Sequence, residues 1–111
     1  MKIQVSELEN GIRLIALNGK LDNSGVYAVE TDFVRHCAEG GMRILVDLSN
    51  VGYISSIGIP MLVDTARIVK SRGGTLAFLN PQKHVLDVLD LVGVLNLVPV
   101  YYDLRSAKLA L

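Results

Sequence analysis

The segment from residue 43 to residue 71 changes its side-chain pattern midway, and this change limits the folds open to the chain. It begins with the continuous apolar run Ile44-Leu45-Val46, which is typical of a buried strand. It ends with apolar residues at helical spacing up to about Ser71. A strand followed directly by a helix is the unit of sheets covered by helices. We therefore expect Arg43–Asp47 to be the central strand of an α/β fold.

The rest of the chain alternates in the same way after an opening pair of strands. Residues 2–8 alternate polar and apolar side chains, as an edge strand does, and Ile12–Leu17 is more continuously apolar. Glu9-Asn10-Gly11 between them has the composition of a hairpin turn, and Asn18-Gly19-Lys20 is expected to end the second strand. The elements that follow are a helix from about Gly25 to Glu39, the central strand, a helix to about Ser71, a strand over Leu76–Leu79, a helix from Asn80-Pro81 to about Leu91, a strand over Val98–Tyr101 and a short helix after Asp103.

This order predicts one α/β domain over residues 1–111. Its mixed sheet has about five strands, is opened by an antiparallel hairpin and is joined by right-handed crossovers through about four helices. The inward side chains expected on the first helix are Val26, Val29, Phe33 and Cys37, with Ala28 also possible. Those on the second helix are Leu62, Ala66 and Val69, which would leave Met61 partly exposed. Those on the third helix are Val85, Leu86, Val88, Leu89 and Val92.

Composition argues against several classes of function. Eleven basic residues balance eleven acidic ones without clustering, so a nucleic-acid partner is not expected. One cysteine and two separated histidines are too few for a metal site. His36 and His84 are expected on helices distant from the serines that follow the central strand, which leaves no evident general base for an enzyme. No cofactor is predicted.

The ends and apolar stretches of the chain favour a soluble protein. The first nine residues alternate instead of forming an apolar leader. The longest apolar region, residues 85–102, is interrupted by Asp87, Asp90 and Pro99, and it is too short and too polar to span a membrane. The lone Cys37 is expected to be a small apolar core residue in a reducing compartment. We therefore expect a cytoplasmic protein without direct membrane contact.

Ser55 and Ser56 stand where the strand pattern gives way to the helical one. A helix start collects unpaired N–H groups and a partial positive charge, so it favours an oxygen ligand. One serine can simply cap the helix, or one can hold its hydroxyl out to carry a phosphate. The segment after Asp47, the segment Leu21–Ser24 and the Asn80-Pro81 turn should all meet at the carboxyl edge of the sheet.

The stretch from Asp47 to Ile59 reads Asp-Leu-Ser-Asn-Val-Gly-Tyr-Ile-Ser-Ser-Ile-Gly-Ile. It resembles the signature of the STAS family, the domain of bacterial anti-sigma factor antagonists, and the resemblance covers the whole chain. It implies the mixed-sheet fold described above and places the phosphoacceptor on Ser56, with Ser55 as a rival where the family usually has aspartate. Ile57 and Pro60 also depart from the pattern.

A second motif, Gly19-Lys20-Leu21-Asp22, resembles the Gly-x-Leu-Asp of the same family. The resemblance places Asp22 on a surface that faces a kinase, whereas the alternative is that Asp22 caps the first helix. The partner-binding residues implied together are Asp22, Asn23, Ser55, Ser56, Gly58, Ile59 and Met61.

The resemblance implies a protein-binding function controlled by phosphorylation. Unphosphorylated at Ser56, the chain would bind an ATP-using anti-sigma factor or serine kinase and so free a sigma factor. Phosphorylation would reverse this, and a serine phosphatase would restore it. The alternative is a scaffolding STAS module of a larger signalling assembly similar to the stressosome, or a STAS subunit associated with a transporter and without a sigma-factor partner.

Overall fold

The computed structural model describes residues 1–111 and has the predicted α/β class, with five strands and four α-helices. Two short 3-10 turns, Glu9–Gly11 and Val94–Asn96, connect them. In chain order the elements are β1 (Lys2–Glu7), β2 (Ile12–Leu21), α1 (Asn23–Cys37), β3 (Arg43–Ile54), α2 (Gly58–Ser71), β4 (Thr75–Leu79), α3 (Lys83–Leu91), β5 (Val100–Tyr101) and α4 (Leu104–Ala110).

The five strands form one mixed sheet in the order β1-β2-β3-β4-β5. β1 and β2 are antiparallel, whereas β2, β3, β4 and β5 are mutually parallel neighbours. The hairpin between β1 and β2 turns at Asn10 and Gly11, with φ values of 63° and 72°. Both residues adopt the left-handed conformation, which asparagine and glycine tolerate better than other residues. The predicted opening hairpin is confirmed.

Helices cover the two faces of the sheet unequally. Ile44 and Val46 of β3 belong to a core of 22 buried residues that includes side chains of α1, α2 and α3. Leu45, between them, points to the other face and belongs to a smaller cluster with Ala107 of α4. Three successive right-handed crossovers in one direction place α1, α2 and α3 on the same face. The short α4 covers part of the opposite face.

Strands β2 and β3 are longer than predicted. The sequence placed their ends at Leu17 and Asp47, but they continue to Leu21 and Ile54. The polar stretches do not break them because each strand pairs with the other, and the Nδ2 of Asn50 donates to the Oδ1 of Asn18 at 3.0 Å. β4 pairs with β3 only as far as Asp47. Residues 18–21 and 48–54 therefore project beyond β4 as two paired strands, with only Asn18 also paired to Lys2 of β1, and are here called the β2–β3 extension.

Most of the predicted inward residues are buried. Val26, Val29, Phe33 and Cys37 of α1 and Leu62, Ala66 and Val69 of α2 lie in the main core. Burial removes the Cys37 thiol from water and raises its pKa to about 12, so the group stays protonated at neutral pH and packs as a small apolar residue.

Three side chains, Ala28, Val92 and Met61, differ from the prediction in their exposure to solvent. Ala28 is exposed, because the buried side of α1 follows Val26, Val29 and Phe33. Val92 is 52% exposed, because α3 ends at Leu91 and Val92 lies beyond its apolar stripe.

Met61 is also placed differently, since it is only 3% exposed. The buried side of α2 is wider than a single row, and it includes Thr65, one turn after Met61, as well as Leu62 and Ala66. The expected partial exposure of Met61 is therefore wrong. None of the helices has the length and apolar character that crossing a bilayer requires.

Candidate functional site

The ends of β2 and β3 are joined at Ser55. Its backbone N–H donates to the carbonyl oxygen of Leu21 at 3.0 Å, and its hydroxyl donates to the same oxygen at 3.0 Å. Two donors from one residue thus converge on one carbonyl at the last residue of β2. This pairing fixes the loop after β3 against the segment that starts α1.

Ser55 also forms the start of α2. Its Oγ accepts from the backbone N–H groups of Ile57 and Gly58, both at 3.3 Å. Its carbonyl oxygen accepts from Gly58 at 3.1 Å and from Ile59 at 3.2 Å. The half-buried Ser55 therefore satisfies N–H groups that a helix start otherwise leaves unpaired.

Ser56 differs from its neighbour in exposure and in bonding. Ser56 is exposed to solvent, and its hydroxyl takes part in none of the hydrogen bonds that hold Ser55. It precedes the first helical residue, Gly58, by two positions, at the positive end of the α2 dipole. Of the two roles open to the serine pair, the structure gives capping to Ser55 and leaves the hydroxyl of Ser56 accessible.

Replacing Ser55 with alanine should lower the free energy of unfolding by about 1 kcal/mol, the usual loss for a helix cap. The matched variant Ser56→Ala should change it by less than about 0.5 kcal/mol, as exposed substitutions do. Urea unfolding of both variants, followed by far-UV circular dichroism, measures the difference. Equal stability of the two variants would contradict the capping role of Ser55.

Asp22 caps α1. Its Oδ1 accepts from the backbone N–H of Gly25 at 2.8 Å, which satisfies a free donor in the first turn. Gly25 is buried so tightly that a Cβ on it would overlap the carbonyl oxygen of Lys20. The neighbouring Asn23 is exposed. Asp22 thus has the structural role expected of it, while contact of Asp22 and Asn23 with a partner stays a prediction.

Gly58, Ile59 and Met61 are less exposed than Ser56. Gly58 is buried, and a Cβ on it would lie 2.7 Å from the carbonyl oxygen of Leu21. Ile59 is half-buried against the main core, and Met61 is inside it. Gly58 and Met61 therefore shape the site from beneath. Contact of Gly58, Ile59 and Met61 with a partner stays a prediction.

Two apolar side chains near Ser56 are exposed instead. Ile57 is 41% exposed and Tyr53 is 48% exposed. The sequence did not single them out, because apolar residues beside a buried strand are ordinarily assigned to the core. They lie close to Ser56 in the chain and add exposed apolar surface of the kind that protein interfaces bury.

The Asn80-Pro81 turn meets the segment after Asp47 through the residue that follows it, because the Nε2 of Gln82 donates to the carbonyl oxygen of Ser49 at 3.0 Å. The turn follows β4, which ends opposite Asp47, and the backbone N–H of Asn80 donates to the carbonyl oxygen of Tyr101 in β5 at 2.7 Å. The β2–β3 extension carries Ser55 and Asp22 beyond this level of the sheet. The turn region therefore contacts the segment after Asp47, while Ser55 meets Leu21 further along the extension.

His84 is nearer to the motif than the sequence suggested. Its Nε2 lies 2.6 Å from the carbonyl oxygen of Gly52, so its predicted distance from this region is wrong. It contacts backbone, however, and neither His84 nor His36 is hydrogen-bonded to a serine hydroxyl. Asp47 uses its carboxylate to accept from the backbone N–H of Ser49 at 2.9 Å, as expected of a residue that anchors this stretch.

Comparison with known proteins identifies relatives of the whole chain. The family model described as STAS domain matches residues 4–107. The anti-sigma-B factor antagonist of Bacillus subtilis strain 168 is 25% identical over 100 residues, which cover 90% of this chain and 90% of that protein.

Two solved structures share the fold. An anti-sigma factor antagonist (STAS) domain protein from Planctomyces limnophilus superposes with a TM-score of 0.86 at 21% identity, covering 97% of this chain and 96% of that one. The anti-sigma factor antagonist SpoIIAA in its unphosphorylated form superposes with a TM-score of 0.78 at 17% identity, covering 98% and 96% of the two chains.

Proposed function

We propose a partner-switching function for this chain, which belongs to the STAS domain family. In the proposal the chain is an anti-sigma factor antagonist. Unphosphorylated, it binds an anti-sigma factor that is also a serine kinase, and the sigma factor held by that kinase is released. Phosphorylation of Ser56 ends the binding, and a serine phosphatase restores it.

The observation that carries the proposal is the division of roles between the two serines. Ser55 is fixed by Leu21, Ile57 and Gly58 through its hydroxyl, so phosphorylation there would break the start of α2. Ser56 is exposed and free of those bonds. A kinase can therefore modify Ser56 without disturbing the packing of the domain.

The position of Ser56 favours an electrostatic switch. A phosphoserine carries nearly two negative charges at neutral pH. At the start of α2 the helix dipole tolerates this charge and favours it by about 0.3–1 kcal/mol. A partner that covers the same position would have to bury the charge or place its own acidic groups beside it. Phosphorylation is thus harmless to the fold and unfavourable to the complex.

The partners follow from this mechanism. The kinase binds ATP, which donates its γ-phosphoryl group to Ser56 and leaves as ADP, whereas this chain needs no cofactor and catalyses no step. We place the reaction in the cytoplasm, where ATP and sigma factors are found. The binding surface includes Ser56 and the exposed residues Asn23, Ile57 and Tyr53, which lie near the ends of β2 and β3.

The test is phosphorylation by the cognate kinase, isolated by affinity capture on the unmodified protein. Incubation with ATP should add one phosphate to the wild type and to Ser55→Ala, and none to Ser56→Ala, as intact-mass and peptide mass spectrometry will show. Phosphate on Ser55 in the Ser56→Ala variant would contradict the assignment. Capture of only large multi-STAS particles or of a transporter would instead favour the scaffolding alternative.

A further inference from the structure

The open edge of the β2–β3 extension is held by side chains in place of a strand. β3 has one extra residue relative to β2 at Leu48-Ser49 and another at Gly52, where the pairing register shifts. Such bulges turn backbone groups out of the ladder. Because β4 pairs with β3 only up to Asp47, no strand is available to bond the groups beyond it.

The turned-out carbonyl at each bulge is bonded by a residue at the start of α3. The Nε2 of Gln82 donates to the carbonyl oxygen of Ser49 at 3.0 Å. The Nε2 of His84 lies 2.6 Å from the carbonyl oxygen of Gly52. A carbonyl oxygen can only accept, so the hydrogen is on Nε2 of His84. Two bulges are thus matched by two donors, two residues apart.

These donors are attached to a fixed part of the fold. Pro81 is buried, and the preceding Asn80 adopts a left-handed conformation with φ of 49° while its N–H bonds to Tyr101. The carbonyl oxygen of Gln82 accepts from the N–H of Leu86 at 2.8 Å, which ties Gln82 to the first turn of α3. The two side chains therefore reach the extension from a rigid base.

We propose that Gln82 and His84 are positioning residues for Ser56. Gly52 lies three residues before Ser55, whose N–H and hydroxyl both bond to Leu21. If the bulged edge opens, Ser55 leaves Leu21, the cap of α2 is lost, and Ser56 is no longer presented in one conformation. This role rests on the proposed function, because it concerns the same serine.

Hydrogen exchange of the isolated protein tests the role without any partner. In Gln82→Glu/His84→Leu, the first change sets a carboxylate against a carbonyl oxygen and the second removes the donor. Exchange of the Ser55 amide should accelerate at least about tenfold, since the loss of one hydrogen bond commonly changes an equilibrium constant about five- to tenfold. Residues 49–57 should respond, while the amides of α1 and β4 should not.

The matched control is Lys83→Gln, which changes the exposed residue between the two donors and removes only its pair with Asp87. It should exchange as the wild type does. The conservative variant His84→Gln keeps a donor of similar reach and should restore most of the protection. Unchanged exchange in the double variant would overturn the proposal, and so would an acceleration spread evenly over the whole chain.

The rate of Ser56 phosphorylation is a second measurement of the positioning role. The double variant should be phosphorylated on Ser56 with a lower kcat/KM than the wild type, by the factor by which the closed fraction of molecules falls. If no kinase modifies Ser56 in the wild type, the proposed function fails while the exchange result still stands. If the wild type is modified and the double variant exchanges its Ser55 amide at the wild-type rate, the positioning role fails and the proposed function remains.

Discussion

Replacing Ser56 with aspartate should lower the affinity for the proposed anti-sigma partner by about fivefold to about 700-fold and leave the fold unchanged. The new carboxylate stands at the start of α2, where the dipole favours a negative charge. In the complex, two like charges about 4 Å apart repel by about 1 kcal/mol in water and about 4 kcal/mol at an effective dielectric constant of 20. At about 1.4 kcal/mol per decade, these energies give the range stated.

Isothermal titration calorimetry with the captured partner measures the affinity, and thermal unfolding checks the fold. Ser56→Asn is the matched control, because its side chain has the size of aspartate without the charge. It should bind within a few-fold of the wild type. If Ser56→Asp binds as tightly as Ser56→Asn, charge is not what releases the partner, and the switch is refuted.

The sequence predicted the order of the elements well because their patterns are local. The hairpin at Asn10-Gly11, the cap at Asp22 and the end of α2 near Ser71 each depend on residues within a few positions. Propensity and capping rules describe such features adequately. The same holds for the buried stripe of α1.

What the sequence could not predict depends on contacts between distant segments. The polar stretch at Asn18 is a strand because Asn50 lies opposite it, 32 residues later. His84 meets Gly52 because α3 follows β4, which stops short of the end of β3. The choice between Ser55 and Ser56 as the cap likewise depends on the carbonyl of Leu21. A pattern within one segment contains none of this information.

Replacing Gly25 with alanine should destabilise the protein by about 1–3 kcal/mol, the loss typical of overpacking. Helix propensity alone predicts the opposite sign, because alanine is favoured over glycine in a helix by about 1 kcal/mol. At Gly25, however, the new Cβ would overlap the carbonyl oxygen of Lys20, which is backbone and cannot turn aside. The clash outweighs the propensity.

Gly40→Ala is the control, since a Cβ there would have no heavy atom nearer than the carbonyl oxygen of Arg72 at 3.8 Å. It should leave stability unchanged or raise it by up to about 1 kcal/mol through the unfolded state. Urea unfolding of both variants gives the comparison.

Because Lys20 precedes Leu21, to which Ser55 is bonded, the clash at Gly25 should also weaken partner binding. A Gly25→Ala protein as stable as Gly40→Ala would show that α1 moves away from β2 at little cost. It would contradict the claim that the close packing of Gly25 against Lys20 holds the start of α1 in place.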